Sequence, residues 1–179
     1  SAVKWTLKML LDKDAGEINK EQAELLAKGF ESNERMILLI NDMLAVDRLE
    51  SGKLKYDFVP VQFEELVEGM IRSLLPLAAQ KNIRIEFSAP KNALPKIKID
   101  PDKMRDVLQN LIDNAIKYTK NDGTVSVGVG LDGLDELHFW VKDNGIGIPE
   151  AEKSKIFSRF FRAENATHTQ TEGSGLGLF

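Results

Sequence analysis

Apolar residues recur at helical spacing through residues 1–13, with Val3, Leu7, Leu10 and Leu11 on one side. Asp14-Ala15-Gly16 interrupts that pattern. Asn19, followed three residues later by Gln22, then resembles a capping box and predicts a second helix reaching about Glu50. Within it Phe30, Ile37 and Leu44 recur every seven residues, as do Met36 and Met43, and Leu26 and Ile40 stand fourteen apart. Two helices of one hairpin cannot cover so wide a stripe. Pairing with a second copy into a four-helix bundle would bury it, and so would packing on the following domain; short-loop bundles favour the first. Ser51-Gly52 ends the helix.

From Lys53 the period changes. Leu54, Tyr56 and Phe58 alternate as in a strand that Pro60 closes, and 62–80 read as a helix kinked at Pro76. Ile83, Ile85 and Phe87 alternate again, a short strand follows at Ile97 and Ile99, and Asp100-Pro101 opens a helix to about Tyr118. Val125, Val127 and Val129 mark a further strand, and an Asp132-Gly133 turn leads to its partner at Leu137, Phe139 and Val141. The expected fold class is α+β, with a helical hairpin over 1–52 and a largely antiparallel sheet with helices over 53–179.

The 179 residues are 42% hydrophobic and 29% charged, enough for a real core and too apolar for disorder. No apolar run approaches the ~20 residues that span a bilayer. The absence of cysteine excludes disulfides, thiolate zinc sites and a cysteine nucleophile, and two histidines, His138 and His168, make a His-rich metal site improbable. The net charge of −4 argues mildly against a dedicated nucleic-acid binder. No signal peptide or targeting sequence is visible. The chain opens on Ser1 in mid-pattern and stops at Phe179 after a glycine run, as expected of a piece of something longer.

The helix over 101–118 is the most informative stretch. Wound at ~100° per residue, it gathers Asn110, Asn114, Lys117, Asp106 and Asp113 on one narrow face, opposite a broad apolar arc. Charges alone suit a solvated face. Asparagine is a mediocre helix former with no advantage there, whereas its carbonyl oxygen is a hard neutral ligand for Mg²⁺ and Lys117 supplies a point charge for phosphate. Asp143-Asn144-Gly145-Ile146-Gly147-Ile148-Pro149 follows a strand and is a good turn in its own right. An ionised Asp143 accepts hydrogen bonds only, so it suits the exocyclic amine of adenine and repels the carbonyl of guanine. Gly145 and Gly147 permit positive φ and a close backbone approach. Gly173-Ser174-Gly175-Leu176-Gly177-Leu178 reads as a second glycine run opening a helix, whose amides would nest an anion. It has neither the Walker A nor the G-x-G-x-x-G spacing. Between the runs, Phe157, Phe160 and Phe161 stand among Arg159 and Arg162, anchors for a mobile lid with an arginine in reach of a terminal phosphate.

Asn110-x-x-x-Asn114-Ala115-x-Lys117-Tyr118, DNGIGIP, IFSRFFR and GSGLGL resemble, in order and spacing, the N, G1, F and G2 boxes of sensor histidine kinases. Residues 1–50 resemble the helical hairpin that dimerises these kinases and carries their acceptor histidine. The resemblance implies an α/β sandwich of the Bergerat ATP-binding type after that hairpin. It implies ATP and Mg²⁺ as cofactors, with Asn114 binding the metal, Asn110 beside it, and Lys117 on the phosphates. Tyr118 and Phe161 would lie along the nucleotide and Asp143 on adenine. Gly145 and Gly147 would shape the pocket, Gly173, Gly175 and Gly177 would close on the phosphates, and Arg162 would approach the γ-phosphate. The implied reaction transfers that phosphate to a histidine and then to an aspartate in the receiver domain of a response regulator. The implied partners are a second copy, through the hairpin, and that regulator, but no nucleic acid. The implied setting is a cytoplasmic module, with any membrane anchor in segments outside this chain. Neither His138 nor His168 matches the acceptor position, so this stretch is expected to bind ATP without phosphorylating itself.

Two rival readings remain open. Gyrase-, mismatch-repair- and chaperone-type ATPases of the same superfamily carry a Glu four residues before the metal-binding Asn, where this chain has Asn110, so hydrolysis loses support. A degenerate module that docks a regulator without catalysis would not need all the boxes intact.

Overall fold

The computed structural model describes residues 2–52, 55–132, 136–170 and 173–179. The chain divides into two compact units, Ser1–Leu54 and Lys55–Phe179.

The first unit is a helical hairpin of α1 (Ala2–Leu11) and α2 (Lys20–Glu50). The capping box is formed in both directions: Gln22 N–H donates to Asn19 Oδ1 (2.8 Å) and Asn19 N–H donates to Gln22 Oε1 (2.9 Å). Lys4 pairs with Glu34 at 3.1 Å across the hairpin. On α2, Met36, Ile40, Met43 and Leu44 are exposed.

The second unit starts with β1 (Val59–Val61) and α3 (Phe63–Ala79), then β2 (Arg84–Ser88), β3 (Ile97–Ile99) and α4 (Pro101–Tyr118). It continues through β4 (Thr124–Asp132), β5 (Glu136–Asp143), a 3-10 turn at Glu150–Lys155 and α5 (Glu164–Thr169). β1 and β3 form an antiparallel pair, and a three-stranded sheet runs in the order β2-β4-β5. α3 packs on β2, and α4 packs on α3, β4 and β5. The core lies between: Val67, Ile71, Leu74 and Ala78 of α3, Leu108, Ile112, Ala115 and Ile116 of α4, and the alternate residues Val125, Val127 and Val129 of β4. On the other side of the sheet Trp140 lies across Gly128, where a Cβ would come within 2.1 Å of the indole, and His138 stacks on Trp140 at 5.3 Å.

One expectation is corrected and the others gain detail. The pairing is largely antiparallel, β1 with β3 and β4 with β5, while β2 and β4 are parallel; the long connection through β3 and α4 returns the chain in the same direction. Tyr56 and Phe58 precede any strand and stack on each other at 5.6 Å; β1 begins at Val59 and includes Pro60, opposite Lys98. A proline fits there because this pair has a free edge. The helix expected over 62–80 is α3, with Pro76 inside it. The segment read only as a lid carries the 3-10 turn and α5. Leu54 and the Gly133 turn lie outside the described residues.

Candidate functional site

α4 is held at both ends. Asp100 caps its start, its carboxylate accepting from Asp102 N–H (3.0 Å), Lys103 N–H (3.1 Å) and also Asp57 N–H (3.0 Å). The Asp57 bond first, then the other two and the Lys103 charge, hold the Asp100 carboxyl below its ordinary value despite some desolvation. At the other end Lys81 Nζ donates to the carbonyls of Ile116 (3.0 Å), Lys117 (2.8 Å) and Thr119 (2.5 Å). Three acceptors require the ammonium, although burial lowers its pKa. Between the caps, Asn110, Asn114 and Tyr118 stand four residues apart on one line of the helix. Asn110 is exposed and Asn114 half-buried. Lys117 Nζ is engaged by Asp113 at 2.7 Å, so it would have to exchange that partner to reach a phosphate.

Asp143 is the last residue of β5. Its Oδ1 accepts from Gly145 N–H at 2.9 Å, which leaves Oδ2 without a hydrogen bond from any described residue. Asn144 ties the turn to β4, its Oδ1 accepting from Thr124 N–H at 2.9 Å. The next residue meets α4: Ile146 N–H donates to the Tyr118 carbonyl at 3.1 Å. Only Gly147 of the two glycines has a positive φ, +66°. Gly145 is required for another reason, since a Cβ would lie 2.3 Å from the Tyr118 oxygen and 2.8 Å from Asp143 Oδ1.

The second glycine run packs on the lid and on α4. Gly175, at φ +69°, lies where a Cβ would be 2.6 Å from the Phe160 backbone, and Phe160 itself is left-handed at φ +59°. Gly173 lies against the Arg162 guanidinium, which donates to the Gln170 carbonyl. Gly177 seats against Asn110, where a Cβ would be 3.2 Å from Oδ1. Where the sequence suggests a helix just opening, the last residues form a turn closed from Phe179 N–H to the Leu176 carbonyl at 3.2 Å. Phe161 is half-buried, while Phe157 and Phe160 are exposed. His138 on β5 and His168 on α5 are both exposed.

The structure thus brings Tyr118, Asp143 and Gly145 together at one end of the α4 face, and Asn110 and Gly177 together at the other. Arg162, Gly173 and Gly175 gather on the lid. No hydrogen bond between described residues joins Asn114 to any of these. Sequence reasoning missed Lys81 and Asn165. Asn165 Nδ2 donates to the carbonyls of Gly147 (2.9 Å) and Ile146 (3.3 Å), fastening α5 to the Asp143 loop. Lys81 has no signal in sequence, being 35 residues and more from its acceptors. Asn165 has only the faint one of an amide beside an aromatic run. The broad groove lined by Val61, Leu66, Met70, Lys96 and Arg105 contains none of the predicted residues.

Comparison with known proteins places this fold and these loops in a family. The family described as histidine kinase-, DNA gyrase B-, and HSP90-like ATPase matches residues 99–179. The circadian input-output histidine kinase CikA of Synechococcus elongatus is 32% identical over 164 residues, 91% of this chain. The catalytic domain of histidine kinase ThkA is 30% identical with a TM-score of 0.59, over 68% of this chain and 75% of that one. Full-length ShkA, solved with AMPPNP, is 28% identical with a TM-score of 0.79, over 99% of this chain and 36% of that one. The chain belongs to the sensor histidine kinases. It spans 22% of the length of CikA.

Proposed function

We propose that this chain handles ATP for a histidine kinase. In this reading it binds Mg-ATP along the polar face of α4 and presents the γ-phosphate to a histidine imidazole. The N–P bond forms as the bond from the γ-phosphorus to the β,γ-bridging oxygen breaks and ADP leaves. The phosphoryl group then passes to an aspartate of a response-regulator receiver domain. One observation carries the reading. Both glycine runs close on the same helix, Gly145 at Tyr118 and Gly177 at Asn110, eight residues or about 12 Å apart at ~1.5 Å per residue. That span suits an extended nucleotide better than a lone base.

Each side chain then has a physical task. The free Oδ2 of Asp143 accepts from the adenine amine. Gly173, Gly175 and Gly177 would close on the phosphates, and Lys117 and Arg162 would neutralise charge on them. Among the described residues no three His, Cys, Asp or Glu side chains gather into a metal cage. The neutral amide oxygens of Asn110 and Asn114, neither hydrogen-bonded to a described side chain, fit a magnesium that takes its remaining oxygens from the nucleotide and water. Bound there, the metal would neutralise developing phosphate charge. Catalysis by the chain is otherwise positioning. His138 and His168 stand outside this arrangement, so the acceptor in this reading is a histidine outside residues 1–179. The exposed apolar arc on α2 suits pairing with a second copy.

Calorimetric titration tests the first half. Asn114→Ala should weaken Mg-ATP binding more than binding of metal-free ATP, and an equal loss would remove Asn114 as a ligand. The natural protein given γ-labelled ATP should acquire acid-labile, base-stable label. Released phosphate without label would point to an ATPase instead, and no nucleotide binding to a scaffold.

A further inference from the structure

At the end of α4 the carbonyls of residues 116–119 are shared between two donors. Those of Ile116, Lys117 and Thr119 converge on one ammonium, Lys81 Nζ. The remaining one, of Tyr118, is left to Ile146 N–H, and Gly145 sits hard against the same oxygen. Lys81 therefore grips the peptides on both sides of the α4 carbonyl that receives the Asp143 loop, whose other backbone tie is to β4, from Asn144 N–H to the Thr124 carbonyl at 3.3 Å. A helix end presents unpaired carbonyls and partial negative charge, and a cation placed there satisfies both. Lys81 is itself fixed, its N–H donating to the Ala78 carbonyl (3.1 Å) and its carbonyl accepting from Asp122 N–H (3.0 Å). Its position is thus set by α3 and by the turn before β4, and through Nζ it transmits that position to the base-binding end of the site.

We propose that Lys81 is a positioning residue for base recognition: its ammonium locks the last turn of α4 so that the Tyr118 carbonyl holds the Asp143 loop in register. The inference rests on the proposed nucleotide role of Asp143, but its structural half does not. Without the ammonium three carbonyls lose their donor, the turn can rotate, and Tyr118 no longer fixes Ile146. Asp143 then loses orientation while the phosphate end, at Asn110 and Gly177, keeps its own contacts.

The test compares the full chain with Lys81→Met, which keeps the stem and loses the donors, and Lys81→Arg, which restores charge and donors. Amide hydrogen exchange without nucleotide is the first readout. Lys81→Met should raise exchange at Gly145 and Ile146, while amides in the middle of α4 stay protected. Binding of Mg-ATP and Mg-GTP is the second. Lys81→Met should weaken ATP by about tenfold, the scale expected from losing hydrogen bonds to a charged group. It should leave GTP nearly unchanged, so the preference for ATP shrinks by the same factor, and Lys81→Arg should recover most of it. A lowered melting temperature with an unchanged ATP-to-GTP ratio and unchanged exchange at Ile146 would overturn the proposal. Should the methionine variant not fold, Lys81→Gln, which keeps two donors without the charge, takes its place with the same readouts. If the wild-type chain binds no nucleotide, the functional reading fails while the exchange result still decides whether Lys81 holds the loop.

Discussion

Asp143 uses its two oxygens differently, and that makes its role separable from its structure. Oδ1 accepts from Gly145 N–H and keeps the turn, while Oδ2 is open. In Asp143→Asn the amide oxygen can take over the first bond, and the NH₂ group then replaces the open acceptor with a donor. The turn should survive, with little change in melting temperature, and ATP affinity should fall about tenfold or more, since an adenine amine would face another donor. Isothermal titration beside a thermal melt checks both halves. Unchanged ATP affinity would refute the adenine role, and a collapse of the melt would mean that the carboxylate serves the turn. The residue scale also shows where glycine is indispensable. Gly145 is needed for the approach of the Tyr118 carbonyl, not for its dihedral, whereas Gly175 is needed for both.

Among elements, α4 was the most legible, because its broad apolar arc, its Asp100-Pro101 start and its two asparagines all pointed the same way. The strands of β4 and β5 were legible from alternation. Strand direction was not: alternation is the same in parallel and antiparallel pairs, and only the crossover through α4 makes β2 and β4 parallel. The helical pieces between the two glycine runs were hidden because six residues each are too few to establish a period. Lys81 was invisible because a cap donated from between α3 and β2 leaves no local pattern. The Asp100 cap gives α4 a predictable acid response. The carboxyl is held below its unfolded value by N–H donors, so its contribution is complete above that unfolded value and fades as pH falls through the depressed folded one. Asp100→Ala should therefore melt at a lower temperature than wild type at pH 7, and the gap should close as the buffer is taken below the ordinary aspartate range. Thermal melts across pH 2–7, with far-UV circular dichroism, check this; a gap that stays constant to the lowest pH would show that the cap does not act through its charge.

At the scale of the whole molecule, the two units differ in how their apolar residues are covered. The second holds its core with its own helices and sheet. In the first, Leu25, Met36, Ile40, Met43 and Leu44 lie within about 100° of one another around α2 and are all half or more exposed. Covering the exposed half of one such side chain gains about 1 kcal/mol. Five on each of two copies gain on the order of 10 kcal/mol, against an association cost of ~4–15 kcal/mol. A dimer formed on this arc should therefore be concentration-dependent, not obligate. Sedimentation velocity on the chain should show a weight-average coefficient rising with concentration, and Ile40→Glu with Met43→Glu should hold it at the monomer value, since two carboxylates at the centre of the arc would have to be desolvated on pairing. Mg-ATP affinity should be the same in both proteins, because none of the proposed nucleotide contacts lies in the hairpin. A wild-type chain that stays monomeric into the ~100 µM range, where even a weak ~8 to 6 kcal/mol association would be visible, would reject the arc as a self-association surface, and a doubly substituted chain that still dimerises would place the contact elsewhere.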